Sequence, residues 1–114
     1  MSEPQHIRAL KVAQQRRLRI AEIKRLMHDQ QITLGEALRD PANTNMFAFD
    51  VASWQYRYGP ATTRRLLTAG HVPLTARCGA MTEHQIDVLD RLAACTSETE
   101  RRDIIAAENR RWAS

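Results

Sequence analysis

The segment 58–92 limits the fold more than any other, because its turn residues predict two helices joined by two tight turns. Gly59-Pro60 breaks the chain. Proline suits the first position of a helix, where its missing N–H group would have no partner within the helix. We therefore expect a helix over 60–69, and Gly70 supplies the stop signal that follows it.

A second helix is predicted after the turns. Thr82 and Gln85 have the spacing of a capping box, and Ile86, Leu89 and Leu92 recur behind them at helical spacing. Each of the two helices follows a glycine turn. Because the unpaired N–H groups of a helix N-terminus attract anions, we expect phosphate to bind at both.

The N-terminal part predicts one long helix over 5–29, since long helix-forming residues dominate and nothing interrupts them. Ile20, Ile23, Leu26 and Met27 form an apolar stripe that should pack on a core. The first half has no comparable stripe, and its basic residues share faces of the helix. We interpret it as a basic arm that extends past the globule; a solvated face of an ordinary amphipathic helix is the alternative.

The middle of the chain contains shorter sequence patterns that predict secondary structure. Thr33 and Glu36 form a second capping box, which predicts a short helix. The alternation of residues 47–51 is typical of a strand, but a single strand would have no partner, so we predict a helix capped by Asp50 instead. The aromatic residues Phe47, Phe49 and Trp54 are expected in the core, with a stacking platform for bases as the alternative.

The predicted fold class is therefore all-α, a long basic N-terminal helix plus a small helical globule. Residues 1–30 form the arm, whose C-terminal half packs on the globule. Residues 31–95 form the globule, with the helix-two-turn-helix module at 58–93. Residues 96–114 form a C-terminal helix or tail, for which Ile104, Ile105 and Trp112 provide a weak apolar face. The sequence leaves open whether this segment folds back, pairs with a second copy or frays.

Charge is unevenly distributed along the 114 residues, whose net charge is +4. Residues 1–25 contain seven Lys and Arg against two acids, and residues 39–77 contain five against two. Residues 78–100 instead contain five acids and only Arg91. A segregated basic surface favours a polyanionic partner.

Several classes of protein are excluded by what the sequence lacks. The absence of about 18 consecutive apolar residues, and of a secretory signal, predicts a cytoplasmic protein without a membrane span. Cys78 and Cys95 are then expected as free thiols. Together with His71 and His84 they match no common zinc spacing, so we predict neither a metal site nor a cofactor.

Residues 16–24, 32–38 and 58–92 together resemble the actinobacterial integration host factor family, over a span of about 7–92. That family joins a long basic helix to a helix-two-turn-helix module similar to those of a small-subunit ribosomal protein and of formamidopyrimidine-DNA glycosylases. The resemblance implies a nucleoid-associated, largely sequence-independent double-stranded DNA-binding protein that bends or constrains DNA. It also implies assistance to site-specific recombination in a complex with an integrase or recombinase, as a monomer or weak dimer.

The resemblance and the basic pattern together predict DNA-binding residues in both the module and the arm. Those in the module are Gly59, Pro60, Ala61, Thr62, Thr63, Arg64, Arg65, Thr75, Arg77 and Gly79. Those in the arm are Arg8, Lys11, Arg16, Arg17, Arg19 and Lys24. The second turn departs from the family, which carries several arginines there, because only Arg77 falls on one of them.

Three other functions are alternatives to DNA binding: an enzyme, an RNA-binding protein and a protein–protein adaptor. An enzyme of the glycosylase type needs a nucleophilic amine in a prepared pocket, yet the only lysines are Lys11 and Lys24, so we predict no catalytic residue and no enzyme. RNA binding is the alternative that the ribosomal likeness suggests. A protein–protein adaptor is another, with the helix at 98–112 as its docking surface.

Overall fold

The structure, a computed structural model, describes residues 4–113 and contains six α-helices over these residues. No strand occurs in this part of the chain, so the prediction of an all-α fold is confirmed. The helices are α1 (Gln5–His28), α2 (Leu34–Arg39), α3 (Ala48–Ser53), α4 (Pro60–Ala69), α5 (Glu83–Ala94) and α6 (Glu98–Ala113). Two short 3₁₀ helices lie at Pro41–Asn43 and Cys78–Ala80. Within the described residues, none of the helices combines the length and apolar character needed to cross a bilayer.

Helix α1 runs unbroken, as its composition predicts, but only its C-terminal half enters the core. Ile23 and Met27 are its buried residues. The side chains of residues 5–19 are exposed except for the half-buried Ala13. A helix of 24 residues is about 36 Å long, and the molecule measures 60 × 32 × 19 Å. The first half of α1 is therefore a projection with solvent around it.

The core lies among α2, α3, α4 and α5, with the end of α1 closing one side. Its largest fully buried side chains are Ile23, Val51, Leu66, Leu67, Val88, Leu89 and Leu92. Helix α2 begins with the predicted capping box of Thr33 and Glu36. Gly35, in its first turn, donates its backbone N–H to Asp90 Oδ1 of α5 at 2.9 Å. A polar contact between distant segments therefore reinforces the packing of α2 on α5.

Helix α3 is present, but the prediction that Asp50 caps it is wrong. The N-cap is Phe47, whose side chain makes no capping hydrogen bond, and Asp50 lies inside the first turn. The start of α3 is fixed instead by long-range backbone pairing, because Ala48 N–H donates to the carbonyl of Ala76 at 2.8 Å. Patterns among neighbouring residues of the sequence could not predict this long-range contact.

The aromatic residues predicted for the core divide into two groups. Phe49 and Trp54 are half-buried and pack against the core, in agreement with the prediction. Phe47 is 37% exposed, so its assignment to the core was wrong. Its backbone forms an isolated bridge with Arg77, and its ring lies against the exposed guanidinium of that residue instead of in the core.

Helix α6 packs on the globule partly through polar side chains rather than through the weak apolar face alone. Ile104 is buried, whereas Trp112 is 57% exposed. Glu108 is only 5% exposed. It accepts hydrogen bonds from His84 Nε2 at 2.8 Å and from Trp112 Nε1 at 3.1 Å. His71 Nε2 also donates to Asn109 Oδ1 at 2.7 Å.

Glu108 remains a carboxylate in this environment. Desolvation by burial would raise its pKa, but the hydrogen bonds and charges of its neighbours, His84 foremost, lower it on balance. A charged group that is nearly buried and hydrogen-bonded holds the C-terminal end of α6 against α5.

Candidate nucleic-acid interface

The N-terminus of α4 is open to a ligand. Its N-cap, Gly59, provides no side chain to accept the first N–H groups, and Pro60 follows at the first helical position. The hydroxyl of the buried Thr63 donates back to the carbonyl of Gly59 at 2.9 Å. Ala61 and Thr62 are exposed, and their N–H groups have no side-chain cap. A Cβ at Gly59 would meet nothing within 4 Å, so the space beside this N-cap residue is open.

The N-terminus of α5 does not match the expectation of a second anion site. Thr82 Oγ1 accepts the N–H of Gln85 at 3.1 Å, and Gln85 Oε1 accepts the N–H of Thr82 at 2.9 Å. The capping box thus occupies groups that a phosphate would need. Of the two module helices, α4 is the one whose first turn has no side-chain cap.

The second turn of the module serves packing as well as presenting charge. Arg77 is exposed, its guanidinium lies 4.3 Å from the centre of the Phe47 ring, and it also donates to the carbonyl of Asn45. Gly79 donates its N–H to the carbonyl of Thr44 at 2.9 Å. A Cβ at Gly79 would lie 2.5 Å from Thr44 Cγ2, so this close approach requires glycine. A substitution at either position would therefore also disturb the turn.

Lys24 of α1 and Gly59, the N-cap of α4, line the same open cleft, of about 600 Å³, which we call the basic cleft. Its lining residues are Lys24, His28, Ser53, Trp54, Gln55, Arg57, Tyr58 and Gly59. None of these eight residues is acidic. The cleft therefore joins the docked end of the arm to the uncapped end of α4 with positive charge and without a carboxylate.

The remaining predicted residues of the module lie on exposed surfaces in two places. Arg64 and Arg65 are exposed on α4, and neither makes an ion pair within the described part of the chain. Thr75 is exposed in the loop after α4. Gly79 lines a separate cavity of about 250 Å³, which also contains the carboxylates of Asp40 and Glu83. The structure thus does not place Gly79 at the basic cleft.

In the arm, Arg19 differs from the other predicted residues. Its guanidinium donates to Asp40 Oδ2 at 2.9 and 3.1 Å, and it lies 3.4 Å from Glu22. The hydrogen bond to Asp40 raises the pKa of Arg19. Much of its charge is therefore compensated within the molecule. The other predicted cations of the arm, Arg8, Lys11, Arg16, Arg17 and Lys24, are all exposed.

Sequence reasoning missed three residues that line the cleft as potential ligand contacts, His28, Arg57 and Tyr58. Arg57 has a φ of 63°, in the left-handed region that favours glycine or asparagine. A left-handed turn at an arginine has no sequence signal of its own. The neighbouring Gly59-Pro60 break was the one available hint that this loop is structured around the start of α4.

Nothing among residues 4–113 groups three or more His, Cys, Asp or Glu side chains closely enough to hold a metal ion. Cys78 is buried, and desolvation raises the pKa of its thiol to about 11. Comparison of the chain with protein-family models, with curated proteins and with solved structures found no match.

Proposed function

We propose that this protein binds double-stranded DNA through its phosphates, largely without regard to sequence, as a nucleoid-associated protein. The observation that carries the proposal is the basic cleft, which is lined by Lys24, Arg57 and Gly59, the N-cap that precedes the uncapped first turn of α4. Side-chain cations and free N–H groups at a helix N-terminus are the two protein groups that most often bind phosphate. The resemblance to the integration host factor family points to the same function.

Two contacts follow from the shape of the molecule. The basic cleft grips the backbone at the globule, and the exposed cations of α1 reach the duplex at a second place. A duplex held at both places bends if the gain in contacts exceeds the elastic cost, which is on the order of a few kcal/mol. Bending of this kind would assist an integrase or recombinase that needs two DNA sites brought together.

Salt dependence is the first signature of this mechanism. Each phosphate neutralised releases condensed counterions, so the logarithm of the association constant should fall by about 0.9 per phosphate for each unit of log salt concentration. A backbone-led interface should show the same slope on duplexes of unrelated sequence. An interface that reads base edges would bind them with different affinities.

Gly59→Asp tests the proposal, because folding and binding should respond in opposite directions. The aspartate would cap the open first turn of α4 and interact favourably with the helix dipole, which stabilises a helix by about 0.3–1 kcal/mol. The same carboxylate would occupy the phosphate position and repel DNA. We expect a higher melting temperature together with weaker DNA binding and a shallower salt slope.

The matched control is Gly59→Ala, because a methyl group at this position meets nothing within 4 Å. It should bind DNA close to the wild-type level. Fluorescence anisotropy on two unrelated duplexes, with an RNA duplex as competitor, measures the affinity and the salt slope, and thermal unfolding measures the melting temperature. Undiminished DNA binding by a folded Gly59→Asp protein would refute the proposed site, and tighter binding of duplex RNA than of duplex DNA would assign the function to RNA.

A further inference from the structure

We propose that the basic cleft also holds one unpaired nucleotide, with the base against Trp54 and the phosphate between Lys24 and Arg57. The inference rests on the proposed function in that it concerns the same cleft. It goes further because it names a ligand that an intact duplex does not present. The chemical class is a nucleoside 5′-phosphate, either free or within a strand.

The aromatic lining is the first observation. Trp54 and Tyr58 both line the cleft, and both are half-buried and packed against the core. A third aromatic ring, Tyr56, contacts the His28 ring edge-on at 5.5 Å beside the cleft. Phosphate alone needs no aromatic wall. Aromatic rings beside cations are the usual arrangement in proteins that bind unpaired bases, because every base has a face that stacks.

The second observation is that both cations of the cleft lie near an aromatic ring. Lys24 Nζ is 5.2 Å from the centre of the Trp54 ring, and the Arg57 guanidinium is 5.3 Å from the centre of the Tyr56 ring. Both cations are exposed, so they can move without unfolding anything. A base that stacks on the indole would take the place of Lys24 there, and the displaced ammonium would remain free to pair with the attached phosphate.

The size and charge of the cleft agree with this ligand. A volume of about 600 Å³ is within the range of sites that hold small molecules. The open mouth admits a nucleotide that remains attached to a strand. None of the lining residues is a carboxylate, so nothing in the wall opposes a phosphate.

A paired base in intact duplex DNA is stacked on both sides and cannot reach Trp54. The protein should therefore prefer a duplex that contains a short single-stranded gap over a blunt duplex of the same length. Loss of one base–aromatic stack corresponds to roughly a tenfold change in affinity. We expect a preference of that size for the gapped duplex.

The experiment uses the Trp112→Phe variant, in which Trp54 is the single tryptophan. Trp112 belongs to α6 and does not line the cleft. The probes are thymidine 5′-monophosphate, a single-stranded oligothymidylate, a gapped duplex and a blunt duplex. Quenching of Trp54 emission by the oligothymidylate and by the gapped duplex supports the inference. Quenching at similar concentrations of the mononucleotide would identify free nucleotides as the ligand instead of strands.

Two substitutions complete the test. Lys24→Ala should weaken oligothymidylate binding several-fold, whereas Arg25→Ala should not, because Arg25 is the next residue of α1 but does not line the cleft. Trp54→Leu should abolish the preference for the gapped duplex. Because Lys24 is exposed, its variant remains informative even if Trp54→Leu fails to fold.

The inference and the proposed function fail in different ways. Normal binding of the blunt duplex, with no quenching of Trp54 by any single-stranded probe and no preference for the gap, overturns the unpaired-nucleotide site alone. Absence of binding to every nucleic acid in dilute buffer overturns both. Equal weakening by Lys24→Ala and Arg25→Ala would mean that only general positive charge matters, and would also overturn the site.

Discussion

Asp90→Ala should destabilise the fold strongly although the residue is neither apolar nor fully buried. Its carboxylate accepts the N–H of Gly35, a buried residue in the first turn of α2, at 2.9 Å. This hydrogen bond links positions 55 residues apart and fastens α2 to α5. Alanine would leave the N–H group of Gly35 buried without its partner.

The magnitude follows from two contributions. A hydrogen bond to a charged group contributes about 1.5–3 kcal/mol to stability. A carboxylate at a helix N-terminus adds about 0.3–1 kcal/mol through the helix dipole. We therefore expect Asp90→Ala to lower the free energy of unfolding by about 2–4 kcal/mol. Asp90→Asn keeps an acceptor oxygen without the charge and should lose about half as much.

Urea unfolding followed by circular dichroism measures the effect, and Asp87→Ala is the matched control. Asp87 lies on the same helix, is exposed, and pairs only loosely with Arg91, with 4.0 Å between the charged atoms. Surface pairs of this kind contribute about 0.3–0.5 kcal/mol. If Asp90→Ala were no more destabilising than Asp87→Ala, the contact with Gly35 would not hold α2 in place, and the account of this interface would be wrong.

Three further outcomes are expected. Deletion of residues 1–15 should leave the circular dichroism of the globule and its cooperative unfolding unchanged. The same deletion should weaken DNA compaction in a band-shift assay. An unfolded product would mean that the arm belongs to the core. A thiol reagent should label the half-buried Cys95 well before the buried Cys78, whose pKa is raised to about 11, and equal rates would contradict that burial. Because hydrogen bonds and nearby charges, those of His84 foremost, lower the pKa of Glu108 below its ordinary value of 4.5, the carboxylate should stabilise the fold above pH 4.5, and this contribution should be lost as the pH falls through the lowered pKa. Glu108→Gln should flatten this acid limb of a stability–pH curve, and an unchanged limb would show that the pair does not matter.

Local signals in the sequence predicted the helices well because each depends on residues three or four positions apart. The capping boxes at Thr33 and Thr82 have their predicted partners. Proline at the start of α4 and glycine at its end are also where the sequence places them. The composition of α1 predicted one continuous helix, and the structure contains it.

Such local patterns could not predict contacts between segments that are distant in the sequence. The start of α3 depends on the carbonyl of Ala76, and the hydrogen bond between Gly35 and Asp90 joins α2 to α5. For the candidate site, the sequence named Lys24 and Gly59 separately, but it could not show that they line one cleft. It also counted Arg19 among the available cations, because the salt bridge to Asp40 forms only after folding.

The docking of α1 through Ile23 and Met27 has a consequence for every residue upstream of them. Because the helix is continuous, the packing of these two side chains in the core also fixes the angular position of each arm cation around the helix axis. One alanine inserted between Arg19 and Ile20 would rotate the whole upstream segment by about 100° around its axis. Seven inserted residues would restore the original angular positions of the cations to within about 20° and would only lengthen the arm.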